Sequence, residues 1–130
     1  MQLRRSGEDY LEAIYVLKNK KGSVRSIDVA HYLDYSKPSV SRAVTNLRVD
    51  GYLEMYEDGE LVLTERGIEI AKNIYERHIL LTTLFTGIGV SEKVAKEDAC
   101  RVEHAISEET FSCLKERYAE RLKLKTQEDV

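Results

Sequence analysis

Cys100, Glu103 and His104 fall in the segment CRVEH at positions i, i+3 and i+4. In a helix those positions share one face, so a thiol, a carboxylate and an imidazole project together. Each is a ligand for first-row transition metals. Asp9 and Glu12, in EDYLE, make a second set, two carboxylates at i and i+3 near the N-terminus. His78, in RHILL, lies on a long helical pattern between them. If the second half of the chain folds back on the first helix, these six side chains could converge on one or two ions.

Taken singly, each residue has an ordinary role. Asp9 and Glu12 would be first-turn acids facing a helix dipole, Cys100 a small buried hydrophobe, and Glu103 with His104 a solvent-facing pair. The metal reading comes from their combination. His31 stands apart from any acidic cluster and reads as structural or surface; Cys113, beside Phe111 and Leu114, reads as core. A catalytic metal site with an open position is another chemistry for these ligands. No nucleophile, base or oxyanion motif accompanies them, so neither an enzymatic activity nor a small-molecule substrate is expected.

The elements that must hold these residues follow from pattern. The chain has 130 residues, 42% apolar and 33% charged, enough for one domain or two small ones sharing a core. The first helix reads from a Ser6 cap through Leu11, Ile14 and Leu17 or Lys18 to Gly22. The second has Ser26 as cap and Ile27, Ala30 and Leu33 as its buried stripe. The third is capped by Ser36, carries Pro38 in its first turn, buries Val40, Val44 and Leu47, and ends at Gly51. Apolar runs on either side of Asp58-Gly59 predict a hairpin. Thr64 begins a long helix broken at Gly87 and Gly89. A helix over 91–107, capped by Ser91, and a last one over 108–123 follow, before the polar tail TQEDV. No run of about 18 apolar residues predicts a membrane span. MQLRRSGEDY has two arginines without an apolar stretch behind them, so no secretory signal is read. The expected location is cytoplasmic, with both thiols reduced.

Helix, short helix, turn, helix and hairpin in that order predict a winged helix-turn-helix, with the third helix reading DNA. Lys37, Ser39, Ser41, Arg42 and Thr45 lie away from its apolar stripe, and Ser36 and Pro38 open it. Hydroxyls can meet phosphates or base edges, and Arg can grip guanine O6 and N7 with two bonds. The plainer alternative is a capped amphipathic helix whose polar face is merely solvated. The wing tip, YEDGE, is acidic and unsuited to gripping phosphate. The formal net charge of −3 argues mildly against a constitutive nucleic-acid binder.

From about Gly7 to about Ser107 the chain resembles the diphtheria-toxin-repressor family of metal-dependent transcriptional regulators. The resemblance rests on EDYLEAIY, SKPSVSRAV, DGYL, LVLTERG, RHILL, IGV and CRVEH. It is greatest to the short branch that includes the manganese transport regulators, which lack a third, SH3-like domain. It implies a mainly α fold: a winged helix-turn-helix with a small β-hairpin wing over 1–71, then a helical metal-binding and dimerisation domain over 72–130. Position by position, Asp9, Glu12, His78, Glu103 and His104 match ligands of the manganese type. Cys100 departs from that pattern, which has glutamate there, and matches the iron-responsive members. Those members have a methionine at the position of Asp9 and no acid at that of Glu12. The ligand set is therefore a hybrid, and Mn2+ and Fe2+, one or two per subunit, both stand as cofactors. An ancillary site of the iron type is incomplete, since Lys96 occupies an expected histidine position.

The expected function is a repressor that binds double-stranded operator DNA as a homodimer when loaded with metal, controlling metal-ion homeostasis genes. Leu80, Leu81, Leu84, Phe85, Ile88 and Val90 would supply the dimer surface. Without metal, Asp9, Glu12 and Glu103 would crowd like charges. Two divalent ions would take the formal −3 to about +1, or about 0 with Cys100 bound as thiolate. The alternative is a metal-independent winged-helix repressor with a structural zinc site.

Overall fold

A computed structural model describes the backbone over residues 5–128 and the side chains over 5–118. Six helices and one two-stranded sheet run in the order α1 (Arg5–Lys21), α2 (Ser26–Leu33), α3 (Lys37–Val49), β1 (Leu53–Met55), β2 (Leu61–Leu63), α4 (Glu65–Gly87), α5 (Glu92–Val102) and α6 (Glu108–Glu128). The chain divides into two compact units, residues 1–73 and 74–130, with the division inside α4.

In the first unit α1, α2 and α3 pack on one another and on the hairpin. Leu11, Ile14, Val24, Val29, Val40 and Leu61 are buried in its core. Each fully buried aliphatic side chain contributes about 1.5–3 kcal/mol, and these six come from five different segments. α1 begins at Arg5, so Ser6 lies in its first turn rather than capping it. Lysines at 18, 20 and 21 complement the negative end of its dipole. α2 is capped by Arg25, not Ser26: the Asp28 carboxylate accepts from the Arg25 backbone N–H at 2.9 Å. Asp28 also accepts from Lys21 Nζ at 2.6 Å. The Lys21 bond, then the backbone bond, holds its carboxyl below the ordinary range. The buried residues of α2 are Val29 and Ala30, whereas Ile27, expected inside, is 40% exposed.

Asp34 ends α2 in the left-handed region, at φ 57°. A short polar side chain tolerates that conformation, and it turns the chain into α3 within three residues. Ser36 caps α3, accepting from the Ser39 N–H at 3.3 Å. β1 and β2 pair antiparallel, Leu53 with Leu63 and Met55 with Leu61. The Gly59 N–H donates to Tyr56 O at 2.9 Å, and Gly59 takes φ +89°. This is a three-residue loop whose left-handed position favours glycine. The wing is tied down as well: Leu61 N–H donates to Val24 O at 2.7 Å, and Arg25 bonds both the backbone and the carboxylate of Asp58, each at 3.1 Å.

Thr64 starts α4, its hydroxyl accepting from Gly67 N–H at 3.2 Å and donating to Gly51 O at 2.7 Å. In the second unit Ile74, Leu80, Leu81, Ala95, Ala99 and Phe111 are buried. Four sequence expectations change here. α5 stops at Val102, so Glu103 and His104 sit in the turn that follows it. Cys113 is exposed while Phe111 beside it is the core residue. Leu80 and Leu81 are buried already in the single chain, leaving Ile88, 78% exposed, with the half-buried Leu84, Phe85 and Val90. α6 runs past 123 to Glu128, with non-helical backbone at Tyr118. The tail expected from 126 thus begins inside α6, and its last two residues lie outside the described ones.

Candidate metal centre and nucleic-acid interface

Glu103 is the centre of the cluster in the second unit. Its backbone is still right-handed, at φ −57° and ψ −28°, and its N–H donates to Ala99 O at 2.9 Å. This last helical step brings its carboxylate between two imidazoles. His78 Nδ1, from α4, stands 2.8 Å from Oε2, and His104 Nε2 stands 3.4 Å from Oε1. A carboxylate only accepts, so a hydrogen bond between the two needs the hydrogen on His78 Nδ1.

The Glu103 side chain is 0% exposed and that of His104 is 3% exposed. Burial raises the carboxyl pKa, but the two imidazoles outweigh it and hold Glu103 below the ordinary carboxylate range. The compensation is incomplete: buried Oε1 accepts no hydrogen bond among the described residues, the 3.4 Å approach of His104 being an ion-pair distance without hydrogen-bond geometry. A buried carboxylate oxygen in that state fits a divalent cation, which two imidazoles and a carboxylate also suit chemically. Cys100, exposed, lies one turn before Glu103 on α5. In the first unit Asp9 and Glu12 are half-buried on α1, off the stripe formed by Leu11 and Ile14.

α3 presents Lys37, Ser41, Arg42 and Thr45 on its exposed side. It holds two arginines, a lysine and no acid, so this surface is locally positive on a chain of net −3. Some hydroxyls are engaged: Ser36 donates to Ser39 Oγ at 2.8 Å, and Thr45 donates to Ser41 O at 3.0 Å. Ser36 and Ser39 thus shape the start of the helix, and Lys37 and Arg42 are exposed cations beside them. Asn46 and Arg48, overlooked in the sequence, are exposed on the same helix; a groove beside Ser41, Arg42 and Thr45 includes Asn46, and Arg48 lines the cleft toward β1. Asn46 stands four residues after Arg42 and Arg48 seven after Ser41, and that spacing was the available signal.

Fold and site together define a winged helix-turn-helix regulator with a metal-binding helical unit. Residues 2–61 match the family described as iron dependent repressor, N-terminal DNA binding domain. Residues 64–123 match its metal binding and dimerisation domain. An HTH-type transcriptional regulator of Methanocaldococcus jannaschii is 35% identical over 115 residues, covering 87% of this chain and 92% of that protein. The regulator MntR of Geobacillus kaustophilus is 39% identical over 102 residues, 78% of this chain and 72% of that one. Among solved structures, IdeR of T. acidophilum superposes with a TM-score of 0.74 at 27% identity, covering 92% of this chain and 55% of that longer one. The chain belongs to the iron-dependent repressor family, the diphtheria-toxin-repressor family of metal-dependent transcriptional regulators. Among the described residues no helix is long and apolar enough to cross a membrane.

Proposed function

We propose that this chain represses metal-ion homeostasis genes from the cytoplasm, binding double-stranded operator DNA as a homodimer when it holds Mn2+ or Fe2+, one or two ions per subunit. The ligands in this reading are Asp9, Glu12, His78, Cys100, Glu103 and His104, and the chain catalyses no reaction. The observation that carries it is the fully buried Glu103 carboxylate, flanked by two imidazoles with one oxygen accepting no hydrogen bond. A bound ion would supply the positive charge this carboxylate needs.

α1 then acts as the lever. Tyr10, next to Asp9, packs edge-on against Tyr35, with ring centroids 5.6 Å apart. Tyr35 belongs to the turn that opens the recognition helix, so fixing Asp9 and Glu12 fixes where α3 starts. A two-fold operator requires the two recognition helices a helical turn apart, or a multiple of it. Holding that spacing raises DNA affinity through a coupling free energy.

Glu103→Ala tests this reading. A protein with parental circular dichroism that no longer binds Mn(II) by calorimetry, and no longer responds to it in DNA binding, supports metal sensing. Outright unfolding supports a structural zinc site instead. Parental Mn(II) affinity contradicts the assignment of Glu103.

A further inference from the structure

The proposed ligands Glu103 and His104 lie outside regular helix, in the link between α5 and α6. Something must hold that link if metal affinity is to be high. Arg77 does so from α4. Its side chain is 9% exposed. Nη1 donates to Glu103 O at 3.2 Å and to Ile106 O at 2.7 Å. Nη2 donates to Glu108 Oε2 at 2.7 Å, and the guanidinium lies 5.1 Å from the Phe111 ring centroid. One planar fork therefore grips both ends of the link and the first turn of α6. It is also the chain neighbour of His78.

We propose that Arg77 is a positioning residue for the metal ligands, locking the 103–106 turn so that Glu103 and His104 are set against His78 before an ion arrives. This rests on the metal-binding reading above. Burying a guanidinium is costly unless its donors are used. Here that cost is offset by two backbone carbonyls in the ligand turn together with the Glu108 carboxylate, which fixes the orientation of the guanidinium through Nη2. Lysine keeps the charge but has one nitrogen in place of the planar pair, so it cannot hold the two carbonyls from Nη1 and the Glu108 carboxylate from Nη2 in one fixed geometry.

Arg77→Lys separates positioning from charge pairing. Co(II) serves as probe, read by its ligand-field absorption, with melting of the metal-free protein alongside. The expected result is an affinity for Co(II) lowered by about tenfold to a hundredfold, as when outer partners of metal ligands are removed. A changed Co(II) spectrum should accompany it. Loss of stability alone would lower the melting temperature and leave the spectrum as in the parent. A folded Arg77→Lys protein with parental Co(II) affinity and spectrum overturns the proposal. Should Arg77→Lys not fold, Glu108→Ala decides, because the Glu108 side chain is 67% exposed and its loss leaves no core defect. A several-fold weakening with a shifted spectrum then supports positioning, and parental binding overturns it. A parent protein that binds no Co(II) overturns the metal reading itself, whereas parental binding with unaltered variants removes only the role of Arg77.

Discussion

In the proposed function two residues carry most of the chemistry, and each is separable. Arg42 is an exposed cation of α3. Arg42→Ala is expected to cost about 1–3 kcal/mol of operator affinity and relax the sequence preference. Lys37→Ala should weaken binding evenly across sequences and lower the salt slope by about one. Fluorescence anisotropy over a salt series checks both; parental binding by both variants would remove α3 from the interface. In the proposed function Cys100 decides the metal. Its thiolate is softer than the carboxylates of Asp9, Glu12 and Glu103, and as a ligand would move preference from Mn(II) toward Fe(II). Affinity alone does not reveal this, because Mn(II) is weakest at almost any such site. The ratio of Fe(II) to Mn(II) activation of DNA binding does, and Cys100→Glu should lower it. An unchanged ratio means that Cys100 is no functional ligand. The spacing of CRVEH was legible in the sequence; the burial of Glu103 was not, because it depends on α4 side chains, Arg77 and His78, meeting the turn after α5. Arg77 opens RHILL, but its role was not legible, since two of its three acceptors are backbone carbonyls.

At the scale of elements, caps and glycines mark what was readable. Ser36 was legible as a cap because Pro38 and the Val40, Val44, Leu47 stripe follow it at fixed offsets. Ser26 was misleading. Its neighbour Asp28 caps from inside the helix, which moves the boundary to Arg25 and turns Ile27 outward. α5 ends earlier than its periodicity suggests, because the chain turns at 103–106 and Arg77 takes the carbonyls released there. Gly67 shows an element fixed by its neighbour. An added β-carbon would run into the Tyr52 carbonyl oxygen, so α4 can pass the end of the recognition-helix loop only with glycine there. An alanine in a helix interior normally stabilises by about 0.5–1 kcal/mol. Gly67→Ala should instead destabilise, by about 1–3 kcal/mol, and loosen the start of α4. Urea unfolding checks the sign, and a stabilised variant would show that the approach of Tyr52 is not tight.

For the whole molecule, the remaining apolar surface and the charge set the expectations. Ile88, with Leu84, Phe85 and Val90 half-buried, is a smaller patch than the sequence suggested, since Leu80 and Leu81 face inward. The proposed homodimer would cover it, and sedimentation should find one at micromolar concentration; a monomer with and without metal would count against it. The unloaded chain carries −3 and should be a poor ligand for DNA, apart from the positive face of α3. The winged-helix order was legible because each element has its own period and punctuation, whereas the coupling of metal to DNA is a property of no single segment. The direct test is binding of an operator fragment titrated separately with Mn(II), Fe(II) and Zn(II) under anaerobic conditions. The account predicts weak binding without metal and a rise of about 5-fold to 150-fold with Mn(II) and with Fe(II). Equal affinity with and without every metal would contradict it.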